Sequence, residues 1–306
     1  MGTRFHLMLP GIDEDFGQII FQKVKNEVNR VEKKLSRFLP ESDIHRLNEA
    51  AKHYTAQVDD ELFDILKACK LCYEVTGGAF DPTLRPLYEY QHKMVGAFVA
   101  DPVFFDLKRR LGFEKVRLNE EKQYVSFENS SLEIDLGGFG KGYALEKVKE
   151  VLLKNRVKSA FVSFGESSVY AHGDHPAGGA WKIGINNYLQ PGESAHQFSV
   201  SGGSVSTSSN FYLDGDILRN HSHIISPKSG EIDSRPIAVS VAAESPVLAE
   251  MLSTAFMSMD DDDIFDVISQ YESLSAVKID YSTGKANNTH FNITLLNTEH
   301  SELVES

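Results

Sequence analysis

The fold can be read outward from Leu132-Glu133-Ile134-Asp135-Leu136-Gly137-Gly138-Phe139-Gly140-Lys141-Gly142. Apolar residues alternate with acidic ones up to Leu136, which predicts a strand, and a helical pattern follows over about residues 143–155. Glycines in the intervening loop let a ligand approach the backbone, and the N-terminus of a helix attracts anions. The loop therefore fits a phosphate site. The alternative is a tight strand-to-helix turn with Lys141 in solvent.

Two familiar nucleotide signatures fail at this loop. A Walker loop requires Ser or Thr directly after its lysine, whereas Gly142 follows Lys141. The glycines at 138, 140 and 142 also lack the spacing of the dinucleotide-binding fingerprint. Phosphate binding rests on local chemistry alone.

Helices and strands are mixed along the rest of the chain. Apolar periodicity predicts helices over about residues 14–38, 60–75 and 246–258, and a short helix with Ile44, Leu47 and Asn48. Short apolar runs predict strands at 115–118, 124–127, 160–164, 181–185, 197–200, 223–225 and 237–242. This mixture favours an α+β fold over a doubly wound parallel sheet. Because no repeat or low-complexity linker is visible, we expect one domain.

Composition narrows the classes of function. The chain has 306 residues and a formal net charge of −13, which argues against a nucleic-acid partner. No apolar run approaches the roughly 18 residues of a membrane span, and residues 1–10 lack the features of a signal peptide. The sequence therefore indicates a soluble form, either cytoplasmic or one from which an export leader has been removed.

Two features that resemble metal or redox sites have simpler interpretations. Cys69 and Cys72 form a lone C-x-x-C within a helical pattern and are expected to be buried apolar residues, a redox or metal role being the alternative. The acidic run 260–263 lacks the spacing of a calcium loop and is expected to be a solvated loop that caps the next helix.

Three further clusters could complete a ligand site. Residues 77–83 combine glycines, an aromatic ring and Asp81 after a helix end, which fits a ring edge or, alternatively, a capped turn. Residues 207–210 and 221–230 supply hydroxyl and imidazole groups. Glu250 and Thr254 lie four apart on one helical face, and their oxygens suit Mg²⁺. The alternative is an exposed acid and a threonine bonded to its own helix.

Taken in order, these segments resemble the ApbE family of FAD:protein FMN transferases over most of the chain, from Met1 to about Met259. The matching stretches are 1–3, 35–38, 42–48, 77–87, 135–144, 206–208, 223–230 and 249–255. The resemblance implies a single α+β, T-fold-like domain over residues 1–306, with a mixed, largely antiparallel sheet, packed helices and a polar C-terminal tail from about residue 287.

The resemblance also implies an activity. FAD binds with Mg²⁺, a threonine hydroxyl of an acceptor flavoprotein attacks the phosphorus on the FMN side, and AMP leaves. Water in place of threonine would give FMN and AMP. Carried over by motif, the residues expected to line FAD are Met1, Phe38, Ala79, Phe80, Asp81, Asp135, Lys141 and Ile224. The expected metal ligands are the Gly138 carbonyl and the oxygens around Glu250, Ser253 and Thr254. His223 is the candidate base, since histidine can accept a proton at neutral pH.

Four residues depart from the family's usual pattern. Glu250 stands where the family usually has aspartate, Ser226 replaces an aspartate, and Glu166 and Ser209 replace glycines. These departures leave open an FAD pyrophosphatase or a non-catalytic FAD-binding paralogue. Members of the family are commonly exported lipoproteins, so the resemblance implies an extracytoplasmic location with a trimmed leader, and a membrane link only through a missing lipid anchor. A cytoplasmic location stays open.

Overall fold

The computed structural model describes residues 3–94, 101–190, 192–214, 217–220, 224–282, 292–297 and 301–305. The described helices are α1 (Glu14–Leu35), α2 (Asp43–Ala51), α3 (Asp60–Val75), α4 (Arg85–Lys93), α5 (Pro102–Arg110), α6 (Gly140–Lys154), α7 (Pro246–Phe256) and α8 (Asp261–Ile268), with a 3₁₀ turn at Phe113–Lys115. No helix in this part of the chain combines the length and apolar character needed to cross a bilayer.

The described strands are short and numerous. They are β1 (Phe5–Met8), β2 (Ala56–Gln57), β3 (Val116–Asn119), β4 (Tyr124–Phe127), β5 (Ala160–Phe164), β6 (Ser168–His172), β7 (Trp181–Asn186), β8 (Ser194–Val200), β9 (Gly203–Ser209), β10 (Phe211–Asp214), β11 (Ile217–Asn220), β12 (Ile237–Ala243), β13 (Ser275–Asp280), β14 (Asn292–Leu296) and β15 (Ser301–Glu305). The last two lie within the C-terminal tail.

Contacts divide the chain into two compact units. Unit 1 contains residues 1–31, 139–222 and 234–306, and unit 2 contains residues 32–138 and 223–233. The prediction of one domain over residues 1–306 stays a prediction.

Unit 1 is built on an eight-stranded sheet of order β1-β5-β6-β9-β12-β13-β14-β15, in which every described pairing is antiparallel. Alternate residues of a strand point to opposite faces. One face packs its apolar residues, such as Val169 and Val205, against the β7–β8 hairpin. The other face carries Ser168 and Ser206, which contact Glu250 on α7. The face under α7 also carries buried apolar residues, such as Phe164 beside Ser168 and Val241 beside Ser206, so the two serines are polar groups within a largely apolar layer.

Unit 2 combines helices with a three-stranded sheet of order β2-β4-β3. Helices α2 and α3 begin at side-chain caps: Ser42 accepts a hydrogen bond from the amide of His45, and Asp59 accepts one from the amide of Leu62. A buried cluster includes Leu87, Phe104 and Leu132. Lys34 is buried in this unit, and hydrogen bonds with Asp43 and Asp59 raise its pKa against the lowering effect of burial.

Most predicted elements are present, with shifted ends. The helix expected over 60–75 has those bounds, the hairpin at 115–127 forms β3 and β4, and the helix expected from residue 143 begins at Gly140. The first helix ends at Leu35 instead of residue 38. The acidic run is exposed, as predicted, but only Asp260 precedes α8, and residues 261–263 form the first turn of that helix instead of a loop. Both cysteines are buried, as predicted, and both are free thiols.

The strand predicted at 132–136 is wrong. This segment is alternately buried but pairs with no strand in the described part of the chain. Its backbone pairs with a side chain instead: the Asn48 amide donates to the Ile134 carbonyl at 2.9 Å and accepts from the Ile134 N–H at 2.9 Å. The next amide, of Asp135, donates to the Pro82 carbonyl. The strand predicted at 223–225 is reduced to one bridge between Ile225 and Ile232, and residue 223 lies outside the described part.

Candidate functional site

Helices α6 and α7 approach closely in unit 1. A Cβ atom on Gly142 would lie 2.5 Å from the Pro246 carbonyl oxygen and 2.7 Å from the Glu250 Cβ. Only glycine permits this approach. It places Lys141, in the first turn of α6, beside Glu250 in the middle of α7, and the two side chains form a salt bridge.

The Glu250 carboxylate is almost fully buried, at 3% exposure. Its Oε1 atom accepts from the Lys141 ammonium. Its Oε2 atom accepts from the hydroxyls of Ser168, at 2.5 Å, and Ser206, at 2.8 Å. A buried carboxylate requires such partners because desolvation is costly.

Two further hydroxyls lie next to Glu250 on α7. Ser253 and Thr254 donate to the Glu250 carbonyl at 3.0 and 3.2 Å. The Ser208 hydroxyl lies 3.0 Å from that of Ser253 and 3.4 Å from that of Thr254. Thr254 is thus bonded to its own helix, as the alternative interpretation expected, but Glu250 is not an exposed acid.

This oxygen cluster fits a hard cation in its chemistry. Mg²⁺ prefers carboxylate, hydroxyl and carbonyl oxygens and is usually held by only one or two carboxylates. Within the described residues no group of three or more His, Cys, Asp or Glu side chains could hold a metal. The ammonium of Lys141 would have to leave Oε1 before a cation could reach that oxygen.

Unit 2 holds several residues that the sequence associated with FAD. Arg37 forms a 3.0 Å salt bridge with Asp135 through its Nε atom, and its guanidinium lies 4.0 Å from the centre of the Phe38 ring. Phe38 is 75% exposed, which leaves one of its faces available for stacking. Asp135 also accepts from the Gly137 amide at 2.9 Å, which fixes the start of the glycine loop.

The segment from Ala79 to Asp81 follows α3 in the same unit. Phe80 is a core residue, whereas Ala79 is half-buried. The Asp81 carboxylate accepts from the amide and the hydroxyl of Thr83 at 2.9 and 2.7 Å. Burial nevertheless raises the pKa of Asp81 to about 6. This segment is therefore a closed turn around a carboxyl group whose ionised form is disfavoured by burial.

Two further residues expected at the site, Gly138 and Ile224, lie in unit 2. Gly138 is partly exposed, and Ile224 is buried, with its carbonyl accepting from the Asp233 amide. Met1 and His223 lie outside the described residues. Of the expected set, Lys141, Glu250, Ser253 and Thr254 are brought together in unit 1.

Sequence reasoning missed Ser168 and Ser206, which hold Glu250, and Arg37, which holds Asp135. Arg37 lies within a motif quoted above but was given no role. The signal for Ser206 was an alternation of serines at 204, 206 and 208, which on a strand places all three on one face.

The departures from the family pattern have visible structural effects. Glu166, where glycine is usual, adopts a left-handed backbone with φ of 61°, a conformation that disfavours side chains. Ser209 bonds to the backbone of Phe211. Ser226 opens a turn in which its carbonyl accepts from the Gly230 amide at 2.7 Å.

Comparisons with known proteins agree over most of the chain. The model of the ApbE family matches residues 1–278. A protein of Klebsiella pneumoniae (strain 342) named FAD:protein FMN transferase is 26% identical over 285 residues, covering 90% of this chain and 86% of that protein. A protein of Escherichia coli (strain K12) with the same name is 25% identical over 270 residues, covering 84% of this chain and 76% of that protein.

Solved structures show the same fold. The ApbE protein of Thermotoga maritima superposes with a TM-score of 0.75 at 23% identity, over 100% of this chain and 94% of that one. The flavin transferase ApbE of Vibrio cholerae superposes with a TM-score of 0.79 at 20% identity, over 97% and 95%. The α+β fold class predicted from the sequence is confirmed.

Proposed function

The chain belongs to the ApbE family, and we propose that it is a Mg²⁺-dependent FAD:protein FMN transferase that moves FMN from FAD to a threonine of an acceptor flavoprotein and releases AMP. Support for the enzyme class comes from relatives that carry this name and cover most of the chain. The metal and the threonine target are the finer parts of the proposal.

The observation that carries the proposal is the Lys141–Glu250 pair among the hydroxyls of unit 1. It combines a partly exposed ammonium in the first turn of α6 with a buried carboxylate surrounded by hydroxyl oxygens. Transfer of a phosphoryl group depends chiefly on positioning and on neutralising charge. A lysine and a cation site supply both.

Glu250, Ser253 and Thr254 would hold Mg²⁺, with the Gly138 carbonyl as a further proposed ligand. When bound there, Mg²⁺ would neutralise charge on the pyrophosphate oxygens. Lys141 would then be released from Glu250 and could bind a phosphate oxygen of FAD, where the N-terminus of α6 adds a favourable dipole.

The proposed lining of FAD combines Met1, Phe38, Ala79, Phe80, Asp81, Asp135, Lys141 and Ile224. Phe38 offers an exposed ring for stacking, and Asp135 is held in place by Arg37. Asp81, whose pKa is raised to about 6, carries a proton at mildly acidic pH and could then donate a hydrogen bond.

The proposed chemistry is a single displacement at phosphorus. The acceptor threonine oxygen forms a bond to the phosphorus of the FMN half, and the bond from that phosphorus to the bridging oxygen breaks. The bridging oxygen leaves with AMP, and the threonine proton passes to a base, for which His223 is the proposed group. FMN then stays attached to the acceptor through a phosphoester bond.

The test is transfer to an acceptor domain carrying the target threonine. Purified protein is incubated with FAD, Mg²⁺ and the acceptor, and AMP release is followed together with in-gel flavin fluorescence. We expect both signals, and we expect Glu250→Ala and Lys141→Met to reduce them by about 100-fold or more, since each removes a charge at the site. Lys147→Met is the matched control, because Lys147 lies on the same helix but pairs with Glu150.

Two results would redirect the proposal. Release of AMP without a fluorescent acceptor would identify an FAD pyrophosphatase. Bound FAD without AMP would identify a flavin-binding protein. An extracytoplasmic location, and an acceptor at a membrane, also stay proposals. They would be tested by locating the protein in fractions of the cells that produce it naturally.

A further inference from the structure

The two oxygens of the Glu250 carboxylate have different kinds of partner. Oε1 meets the ammonium of Lys141, a long side chain that is partly exposed. Oε2 meets the hydroxyls of Ser168 and Ser206, which are 1% and 2% exposed. One oxygen is therefore held by a group that can leave, and the other by groups that cannot.

The two serines form a fixed pair. Ser168 on β6 and Ser206 on β9 are direct partners in the antiparallel register of the sheet, and their hydroxyl oxygens lie 3.3 Å apart. Both side chains are short and rise from the centre of the sheet, so little freedom remains to them. The backbone of two adjacent strands thus sets the position of Oε2.

Counting protons fixes the direction of these hydrogen bonds. A carboxylate can only accept, so Ser168 and Ser206 each give their single proton to Oε2. Charge-assisted hydrogen bonds of this kind are among the stronger ones in proteins. The Ser253 hydroxyl oxygen lies 3.4 Å from that of Ser206, but its single proton goes to the nearer Glu250 carbonyl, at 3.0 Å.

The two serine donors restrict a side chain that is longer by one methylene than aspartate. A glutamate has one more rotatable bond than the aspartate usual in the family, and Mg²⁺ tolerates little error in ligand position. Two fixed donors on Oε2 remove the freedom of the carboxylate and leave Oε1 as the oxygen directed at Lys141.

We propose that Ser168 and Ser206 are positioning residues that clamp Oε2 of Glu250, so that Oε1 is presented to a divalent cation once Lys141 withdraws. The inference rests on the proposed function, whose cation site it deepens. It assigns a role in cation binding to two strand residues that touch neither the cation nor FAD.

The test measures cation binding without FAD. Mn²⁺ alone is titrated into the full chain, and free Mn²⁺ is followed by electron paramagnetic resonance. We expect Ser168→Ala and Ser206→Ala each to weaken Mn²⁺ binding by roughly 10–100-fold, the range seen when the partner of a metal ligand is removed. Ser204→Ala is the matched control, since Ser204 is equally buried on β9 but donates to the Val169 carbonyl. It should leave Mn²⁺ affinity unchanged.

A second arm uses the shorter acid. A Glu250→Asp side chain is one methylene shorter, so we expect it to lose its contact with the serines, and adding Ser206→Ala in that background should change Mn²⁺ affinity less than about twofold, as expected when two residues act through one contact. In the transfer assay, the serine variants should need more Mg²⁺ for half-maximal rate while reaching a similar kcat. Thermal melts identify any variant that has lost its fold.

The outcomes separate this inference from the proposed function. Wild-type Mn²⁺ affinity in both serine variants, or an equal loss in Ser204→Ala, overturns the clamp while FMN transfer stands. Mn²⁺ binding that survives Glu250→Ala overturns the clamp and the cation site together. If the serine effects appear as expected but no FMN is transferred, the clamp stands and the proposed function fails.

Discussion

Asp81 and Glu250 are two acids that the protein buries in different ways. Glu250 has an ammonium and two hydroxyls as partners, whereas Asp81 accepts hydrogen bonds from the amide and the hydroxyl of Thr83. Burial therefore dominates at Asp81 and raises its pKa to about 6. A solitary buried acid of this kind affects stability through pH.

The first prediction concerns Asp81→Asn. Because the folded-state pKa is above the ordinary value of 3.8, the folded state holds this proton more tightly than the unfolded state. Wild-type stability relative to the variant should therefore be highest below about pH 4 and fall as the pH rises to about 6. The slope is about 1.4 kcal/mol per pH unit, up to about 3 kcal/mol in total. Urea unfolding between pH 4.5 and 7.5 measures it.

Asp64→Asn is the control for this experiment, since Asp64 lies on α3 in the same unit with its side chain 70% exposed. It should show no such trend. A pH-independent difference between wild type and Asp81→Asn would contradict the raised pKa.

At the scale of elements, apolar helices were predicted well and polar strands were not. The stripe of α3 is visible in the sequence because Leu62, Leu66 and Cys69 follow helical spacing. Strand β9 was missed because its run of serines resembles a loop. The serines that made β9 resemble a loop include Ser206, which contacts Glu250. The candidate site was therefore hardest to predict where its own residues form regular structure.

The segment 132–136 was predicted correctly in its burial but wrongly in its backbone pairing. Its alternating burial was correct, because Leu132, Ile134 and Leu136 are all buried. Periodicity reports which side chains point inward, but it does not report where the backbone hydrogen bonds go. Here Asn48, 86 residues away along the chain, takes the place of a neighbouring strand, and no local pattern reveals that.

The second prediction uses two helical glycines. Gly142→Ala should lower the free energy of unfolding by about 1–3 kcal/mol, because its new methyl group would overlap α7 at Pro246 and Glu250. Gly17→Ala should instead stabilise α1 by about 0.5–1 kcal/mol, since the nearest atom, on Ile12, lies 4.0 Å away. Denaturant unfolding compares them, and a shift of the same sign in both variants would refute the close approach of α6 and α7.

At the scale of the whole molecule, order along the chain was more informative than any single motif. The glycine loop alone was compatible with a simple turn, whereas eight segments in the order typical of one family predicted the fold class. Length and composition could not reveal that unit 1 draws on three separated segments and unit 2 on two. Division into units is decided by contacts between distant residues, and these leave no local trace in the sequence.

The two units also differ in chemistry that can be read from outside. Cys69 and Cys72, the chain's two cysteines, lie buried on α3 in unit 2, and burial raises the pKa of the Cys72 thiol to about 12 and that of Cys69 well above its usual value. The chain's one tryptophan, Trp181, is buried in unit 1. A thiol that is protonated and inaccessible reacts only when its surroundings open.

Each unit thus contains its own probe of unfolding. The rate at which a disulfide reagent labels the thiols reports the unfolding of unit 2. Indole fluorescence in the same urea series reports the unfolding of unit 1. If the single-domain prediction holds, both signals should give one midpoint and one unfolding rate. Thiols that become reactive at lower urea than the fluorescence change would instead mean that unit 2 opens on its own, and Cys69→Ser with Cys72→Ser would confirm the origin of the signal. The buried C-x-x-C thereby reports whether the two units unfold in one cooperative step.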